Sequence, residues 1–163
     1  MKEILEQYAS YNVWANQTLL KPLLAMHETK LLQNIPSSFN SIRLTVMHIW
    51  DAESIWWQRL KLQEQIIRPS DNLQLSNEEV VNGLLDQSKQ WESWVKQNKE
   101  NILEHVFGYH DSKGEYFKNP TWQTIVHLFN HGTYHRGQIV TMFHHLEVKK
   151  IPTTDFIAWC RKK

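Results

Sequence analysis

Three histidines follow one another at intervals of one helical turn near the end of the chain. His127, His131 and His135 occupy positions i, i+4 and i+8, which fall on one face of an α-helix with neighbouring Cβ atoms about 5–6 Å apart. Two neutral imidazoles one turn apart can bind a single divalent ion. A third ligand must come from another helix, and His48 is the candidate because it lies in the middle of a segment of bulky apolar residues. Three histidine ligands with open positions are typical of a catalytic rather than a structural metal site.

Other interpretations of these residues stay open on spacing alone. The chain has nine histidines, so pairs at i, i+4 arise by chance, and a histidine on an apolar face is often a hydrogen-bonded core residue. Residues 132–134 are Gly-Thr-Tyr, so the glutamate of the zincin motif is absent, which counts against a metalloprotease. Cys160, beside Arg161, is an alternative reactive group, although no histidine is close to it in sequence.

The elements that must position these residues are helices, because apolar residues recur at helical spacing along most of the chain. The first predicted helix ends or kinks near Lys21, since Pro22 lacks a backbone donor and crowds the preceding turn. The second begins at Ser37 or Ser38, whose side-chain oxygens can accept from an unpaired backbone N–H, and it carries His48. Residues 26–36 and 62–75 are predicted connections.

The third predicted helix opens with Ser76 and Glu79, which have the spacing of a capping box, and its apolar pattern extends to Ile102. Residues 108–120 are a long connection with room for a small hairpin. The fourth helix begins near Thr121, carries the other three histidines and ends before Pro152. These elements predict an all-α four-helix bundle with long crossover connections, on which a short C-terminal tail, residues 153–163, is docked.

Length and composition restrict the remaining possibilities. A chain of 163 residues is expected to form a single domain, residues 1–163. Its formal net charge is +1, which argues against nucleic acid and against a membrane surface as partners. No apolar stretch is long enough to span a membrane, and one cysteine without a signal-peptide pattern favours the cytoplasm. Eight tryptophans are many for one small core, so we expect exposed aromatic groups and a homodimer.

The ordered motifs of the chain resemble those of the DinB/YfiT-like metalloprotein superfamily. The resemblance rests on residues 11–16 (YNVWAN), 41–49 (SIRLTVMHI), 128–138 (LFNHGTYHRGQ) and 155–156 (DF), and it extends over nearly the whole chain. It implies a four-helix bundle with a crossed connection, often dimeric. It also implies a divalent metal ion as cofactor, zinc or nickel among others.

The resemblance implies that the metal ligands are His48, His131 and His135. His127 is not the usual ligand and is expected to support a ligand or to pack beside it. Asp51, one turn after His48, is expected either to hold an imidazole N–H or to lie on the helix surface. Because imidazole binds metal only when neutral and its ordinary pKa is about 6.5, metal affinity is expected to fall below about pH 6.

Three further residues are candidates for supporting the reaction. Gln138 lies near the face of His135 and could orient that ligand. Tyr134 lies one turn before Gln138. Arg136 points roughly 100° away from His135 around the helix, so it is expected either to flank the site or to pair with a carboxylate inside the bundle.

Some members of the superfamily are thiol S-transferases or isomerases that use bacillithiol, mycothiol or related thiols. A metal with open positions lowers the pKa of a bound thiol and so provides thiolate at neutral pH. We therefore expect a metal-dependent S-transferase with a low-molecular-weight thiol cosubstrate, a small-molecule electrophile as substrate, and thiolate or water as the reacting group at the metal. A non-catalytic metal-binding or stress-response protein and a metal-dependent hydrolase are the alternatives.

Overall fold

The computed structural model describes residues 1–161, which form seven helices and two strands. The helices are α1 (Lys2–Leu20), α2 (Glu28–Leu31), α3 (Ile42–Leu60), α4 (Asn77–Gln97), α5 (Glu100–Glu104), α6 (Thr121–His145) and α7 (Phe156–Cys160). The strands are β1 (Val106–His110) and β2 (Tyr116–Pro120). Two 3-10 turns cover Lys21–Ala25 and Pro69–Asp71.

The four long helices form a ring in the order α1, α4, α3, α6. Helix α1 packs against α4 and α6, and α3 packs against the same two helices. Helices α1 and α3 are therefore diagonal although they are consecutive long helices in the chain, and so are α4 and α6. The connections that join each diagonal pair must cross the bundle, which confirms the predicted four-helix bundle with crossover connections.

Two helix boundaries agree with the local sequence signals. Helix α1 ends at Leu20, and Pro22 lies in the 3-10 turn that follows. At the start of α4 the capping box is complete, because the Glu79 N–H donates to Ser76 Oγ at 3.2 Å and the Ser76 N–H donates to Glu79 Oε2 at 2.7 Å.

The predicted start of α3 at Ser37 or Ser38 is wrong. The helix begins at Ile42, and its cap is Ser41, whose Oγ accepts from a backbone N–H of the first turn at 3.2 Å. The five residues before Ser41 form bends, closed by a hydrogen bond from the Ile35 N–H to the Asn40 carbonyl at 2.9 Å. This closed loop leaves Ser41 as the first residue free to cap.

The connection between α4 and α6 holds more structure than the sequence predicts. Helix α4 ends at Gln97, because Asn98 is extended, so Ile102 lies in the separate helix α5. An antiparallel hairpin follows, in which Tyr109 of β1 faces Phe117 of β2. The Tyr109 ring contacts Trp56 of α3, so the hairpin covers one end of the contact between α3 and α6.

The C-terminal tail is docked on α1 as far as the structure describes it, as predicted, and residues 162 and 163 of the predicted tail lie outside the described residues. Trp159 of α7 is 7% exposed, and its ring lies 6.1 Å from that of Tyr11. The Tyr11 hydroxyl donates to the Thr154 carbonyl at 2.6 Å. No helix within residues 1–161 combines the length and apolar character needed to cross a membrane.

The interior of the bundle has two apolar clusters at different heights. One cluster draws on all four long helices and includes Leu19 and Phe143. The other includes Leu5 and Phe129. Buried polar residues lie between them on all four long helices: Asn12 and Asn16 on α1, Glu53 on α3, Ser88 on α4 and Arg136 on α6. We call these five side chains the polar layer.

Candidate metal centre

Packing of α3 against α6 brings three histidines together. The Nε2 atom of His131 lies 3.0 Å from that of His48 and 3.1 Å from that of His135. One ring nitrogen from each of the three lies within 4.8 Å of the other two. Helical spacing places His131 and His135 on one face of α6, and the packing of α3 supplies His48 as the third member, in the arrangement predicted.

A hydrogen bond defines the tautomer of His135. Its Nδ1 pairs with Gln138 Oε1 at 2.8 Å, and an amide oxygen can only accept, so Nδ1 carries the proton. The amide nitrogen of Gln138 donates to Ser38 Oγ at 2.8 Å, which holds the glutamine in place. The Nε2 atom of His135 is therefore left with a lone pair directed at His131.

The three imidazoles fit a divalent cation. At most one of the two short contacts of His131 Nε2 can be a hydrogen bond, because His135 Nε2 has no proton to donate and His131 Nε2 can donate only one. The other contact brings two nitrogens together without a proton between them. A cation between the rings removes that repulsion and uses all three lone pairs. Zinc–nitrogen distances of 2.0–2.1 Å place tetrahedral ligand nitrogens about 3.3 Å apart, close to the 3.0 and 3.1 Å observed here. Nitrogen ligands suit zinc and nickel.

The second nitrogen of the His131 ring makes no hydrogen bond to the described part of the protein. This nitrogen, Nδ1, is buried. A buried ring nitrogen without a partner is costly, so the packing of α3 against α6 must offset that cost. Within the same residues, no carboxylate or thiol joins the cluster.

Burial keeps these imidazoles neutral. Desolvation, with repulsion from His135, lowers the pKa of His48 to about 4, although Asp51 works in the opposite direction. Desolvation and the neighbouring imidazoles likewise lower the pKa of His131 to about 4. Burial also lowers the pKa of His135. Neutral imidazole is the form that binds metal, so the cluster remains ready for a cation well below the pH of about 6 that the ordinary pKa implies.

Aromatic rings surround one side of the cluster. The Phe39 ring stacks on His48 with centroids 4.0 Å apart and an angle of 24°. It also meets the edge of His135 at 5.7 Å. Tyr134 is 62% exposed, and its ring lies 4.9 Å from that of His135. The cluster is thus approached past aromatic groups, of which Tyr134 is the exposed one.

Other residues predicted at the site lie outside the cluster. The Asp51 carboxylate accepts from the Ser70 N–H at 2.9 Å and so anchors the 3-10 turn beside α3. Within residues 1–161 it makes no hydrogen bond to a histidine. His127 is exposed one turn before His131, with ring centroids 6.1 Å apart. Cys160 packs with the tail on α1, away from the histidines.

Arg136 points into the bundle, which is one of the two positions expected for it. It is 2% exposed, and its Nη1 donates to Asn12 Oδ1 at 2.8 Å and to Asn16 Oδ1 at 2.9 Å. Its Nη2 donates to Thr133 Oγ1 at 2.8 Å. A Cβ at Gly132 would lie 3.1 Å from Nη1 and 3.3 Å from Asn12 Oδ1, so the glycine leaves the space that the guanidinium occupies.

Glu53 supplies the carboxylate of the polar layer. It is 1% exposed, its Oε1 accepts from Asn12 Nδ2 at 3.0 Å and its Oε2 from Ser88 Oγ at 2.8 Å. Asn16 Nδ2 donates to the same Ser88 hydroxyl at 2.9 Å. Desolvation raises the pKa of Glu53 to about 7, even though these hydrogen bonds and Arg136 favour the charged form.

Sequence reasoning missed this layer. The available signal was the pair Asn12 and Asn16, one turn apart on the otherwise apolar face of α1. Two amides on a buried face require polar partners. Nothing local in the sequence indicated that those partners would be Glu53, Ser88 and Arg136 on three other helices.

Comparisons with known proteins agree with this architecture. A family model described as "DinB family" matches residues 1–160. Protein DinB of Bacillus subtilis (strain 168) is 27% identical over 162 residues, which covers 94% of this chain and 92% of that protein. A solved structure of YfiT from Bacillus subtilis superimposes with a TM-score of 0.68 at 16% identity, covering 90% of each chain. YfiT is described as a probable metal-dependent hydrolase with an unusual four-helix bundle topology, and at this identity the likeness is one of fold.

Proposed function

The chain belongs to the DinB family, and we propose that it is a metal-dependent S-transferase that activates a low-molecular-weight thiol for attack on a small electrophile. The observation that carries the proposal is the convergence of His48, His131 and His135 with no carboxylate in the cluster among residues 1–161. Three protein ligands leave coordination positions for a reactant.

The protein's own residues hold the ion and orient its ligands. His48 and His131 stay neutral at physiological pH, because burial lowers the pKa of each to about 4. Gln138 accepts from His135 Nδ1 and so directs the Nε2 lone pair into the cluster. A divalent ion held there would supply a Lewis acid that lowers the pKa of a thiol or a water in contact with it. Phe39 covers the outer face of the His48 ring.

The lack of a carboxylate favours a thiol over water as the nucleophile. In the zincin motif a glutamate acts as the general base for water, and among residues 1–161 no Asp or Glu belongs to this cluster. A thiol has an ordinary pKa of about 8.5, whereas the metal must lower the pKa of water from about 15.7 to about 7 before hydroxide forms at neutral pH. The thiol therefore loses its proton after a much smaller shift and needs no such base.

The transfer balances without an oxidant or a reductant. A carbon–sulfur bond forms while the bond between that carbon and its leaving group breaks. With a chloroarene, chloride leaves with the bonding electron pair, and the thiol proton passes to solvent. The products are a thioether, chloride and a proton.

A metal-dependent hydrolase is the second candidate, favoured by the description of YfiT, which shares the fold. In that reaction water attacks an ester or amide carbonyl and no thiol is consumed. Products therefore distinguish the two activities directly.

Untagged protein, stripped of metal and reloaded with Zn²⁺ or Ni²⁺, provides the test. It is incubated with a chloro-dinitroarene and a panel of small thiols, and separately with activated esters and amides. We expect metal-dependent thioether formation that His131→Ala abolishes. His144→Ala is the matched control, because His144 is an exposed histidine of the same helix, and it should retain full activity.

Each contrary result selects a different conclusion. Equal thioether formation by metal-free protein would overturn the metal-dependent mechanism. Ester or amide hydrolysis without thiol transfer would establish the hydrolase. Stoichiometric metal with neither activity would support a non-catalytic metal-binding protein.

A further inference from the structure

A small pocket lies between α3, α6 and the hairpin. The two helices run antiparallel, since His48 meets His131 while Trp56, two turns later on α3, meets His127, one turn earlier on α6. The pocket lies at this second level and has a volume of about 280 Å³. Its lining residues come from both helices and the hairpin: Trp56, Tyr109, Asn119, Gln123, Thr124 and His127. We call it the hairpin pocket.

The apolar wall of the hairpin pocket is held in a fixed position. The rings of Trp56 and Tyr109 meet edge to face with centroids 4.8 Å apart. The Arg59 guanidinium lies 4.7 Å from the Trp56 ring and 5.3 Å from the Tyr109 ring. A cation in contact with both rings stabilises their arrangement. The wall is therefore a preformed aromatic surface of the kind that binds a flat apolar group.

The polar wall is a chain of hydrogen bonds that ends in a donor. The Tyr109 hydroxyl donates to Asn119 Oδ1 at 2.9 Å, and Asn119 Nδ2 donates to Gln123 Oε1 at 2.9 Å. This chain fixes the orientation of the Gln123 amide. Its Nε2 has no hydrogen-bond partner among residues 1–161, so it offers two N–H groups to a ligand that carries an acceptor.

His127 connects the hairpin pocket to the metal centre. Its ring lies 5.7 Å from that of Trp56 on one side and 6.1 Å from that of His131 on the other. Neither of its ring nitrogens has a hydrogen-bond partner among residues 1–161. A small molecule against Trp56 thus lies about one helical turn from a candidate metal ligand, roughly 5–6 Å, which brings an atom at its edge within reach of the metal centre.

We infer that the hairpin pocket binds the electrophilic substrate through a single planar aromatic ring that bears a hydrogen-bond acceptor such as a nitro or carbonyl group. The aromatic wall takes the ring, Gln123 Nε2 donates to the acceptor, and the reacting carbon points past His127 toward the metal centre. A volume of about 280 Å³ lies below the range of about 300–1,000 Å³ typical of drug-sized pockets, which favours one ring over a larger ligand. This inference rests on the proposed transferase function for its account of the reaction.

Binding and turnover are measured separately to test it. The binding probe is 1,3-dinitrobenzene, which has the ring and acceptors but no leaving group, and its affinity is measured by calorimetry on zinc-loaded protein. The Gln123→Glu variant keeps the oxygen that accepts from Asn119 but replaces the donor with a carboxylate oxygen. The Trp56→Leu variant removes the aromatic wall. Gln97→Glu, at an exposed position of α4, is the matched charge control.

We expect Gln123→Glu and Trp56→Leu each to weaken the probe about tenfold, and Gln97→Glu to leave its affinity unchanged. Metal content should stay at one ion per chain in every variant, and the KM for a chloro-dinitroarene should rise in parallel with the probe's dissociation constant. Gln123→Glu alters a surface side chain, so it remains informative if Trp56→Leu is unstable.

The failure of the inference and the failure of the proposed function give different results. The inference that the hairpin pocket binds the ring is overturned if the wild type does not bind the probe, or if the wild type and Gln123→Glu bind it equally. This holds even if thiol transfer is observed. If the probe binds in a way that depends on Gln123 but no thiol transfer occurs, the proposed binding site stands and the proposed transferase function is overturned.

Discussion

We expect the Glu53→Gln variant to gain stability relative to the wild type as the pH rises from acidic to neutral. The Glu53 carboxylate is 1% exposed and desolvation raises its pKa from 4.5 to about 7. The amide can still accept from Asn12 through its oxygen. Its nitrogen can donate to Ser88 Oγ, because the Ser88 hydroxyl has an alternative acceptor in the Leu84 carbonyl at 2.9 Å.

The raised pKa determines the sign and the size of the effect. Between pH 4.5 and about 7 the folded protein keeps the Glu53 proton while the unfolded chain loses it, so the free energy of unfolding decreases as the pH rises. One pKa unit corresponds to about 1.36 kcal/mol, so the rise from 4.5 to about 7 amounts to about 3 kcal/mol across this range. Glutamine does not titrate and lacks this decrease.

Urea unfolding of metal-free protein, followed by far-UV circular dichroism, measures the effect at several values between pH 4.5 and 7.5. The histidines titrate in both proteins, so their contribution cancels in the difference between the variant and the wild type. That difference should shift by about 3 kcal/mol in favour of Glu53→Gln from the acidic to the neutral end.

Glu92→Gln provides a control of opposite sign. Although partial burial opposes the charged form, hydrogen bonds from Lys96 and Ser10 lower the pKa of Glu92 overall. A lowered carboxyl pKa stabilises the fold above its unfolded value of 4.5, and that contribution is lost as the pH falls through the folded pKa. The Glu92→Gln difference should therefore stay nearly constant above about pH 5, and only below that should this variant lose stability relative to the wild type as the pH rises. A Glu53→Gln difference that is constant across the range, or that moves in the same direction as Glu92→Gln, would refute the reasoning.

The remaining predictions concern the metal, the assembly and one glycine. Protein purified without a His tag should contain about one divalent ion per chain. A chelator should lower the melting temperature by several degrees without loss of the helical signal. Stoichiometric metal in the triple alanine variant of His48, His131 and His135 would contradict the proposed metal site. Metal should be retained at pH 6 and released as the pH approaches the value of about 4 at which His48 and His131 become protonated, which dialysis with elemental analysis measures. Light scattering should show a homodimer at micromolar concentration, and a monomer mass would remove that prediction. Gly83→Ala should destabilise the fold by roughly 1–3 kcal/mol, because the new Cβ would lie 2.2 Å from the Trp50 ring. This effect should exceed the gain from the higher helix propensity of alanine, and thermal or urea unfolding measures it. Unchanged stability would show that the Trp50 ring moves aside.

Those parts of the molecule that depend on short-range periodicity could be predicted from the sequence. The spacing of His131 and His135 places both imidazoles on one face of α6 without reference to the rest of the fold. The Ser76–Glu79 capping box is similarly local, and α4 begins where it predicts. The third histidine, His48, could only be named as a candidate from its place among bulky apolar residues and from the family resemblance, because no local rule pairs a residue of α3 with one of α6.

The start of α3 and the direction of Arg136 could not be obtained from local rules. Ser37, Ser38 and Ser41 are chemically equivalent as caps, and only the loop closure between Ile35 and Asn40 selects Ser41. Helical geometry predicted on which face of α6 Arg136 lies. The direction of its long side chain depends on hydrogen-bond partners that lie on another helix, α1.

The polar layer adjoins the histidine cluster along α3 and α6, and this position links the stability of the fold to the geometry of the site. Glu53 is on α3 with His48, and Arg136 directly follows His135 on α6. A rotation of α6 that separated His135 from its neighbours would also withdraw Arg136 from Asn12 and Asn16.

Leaving a buried charge without its partners costs about 3–5 kcal/mol, so such a rotation is strongly disfavoured. The contacts of Arg136 and the apolar clusters therefore hold the two ligand-bearing helices in fixed relative positions. Repulsion between imidazole lone pairs does not drive these helices apart, because the apolar clusters and the polar layer hold them together. An ion that binds then encounters ligands already in place, and little of its binding free energy is needed to order them.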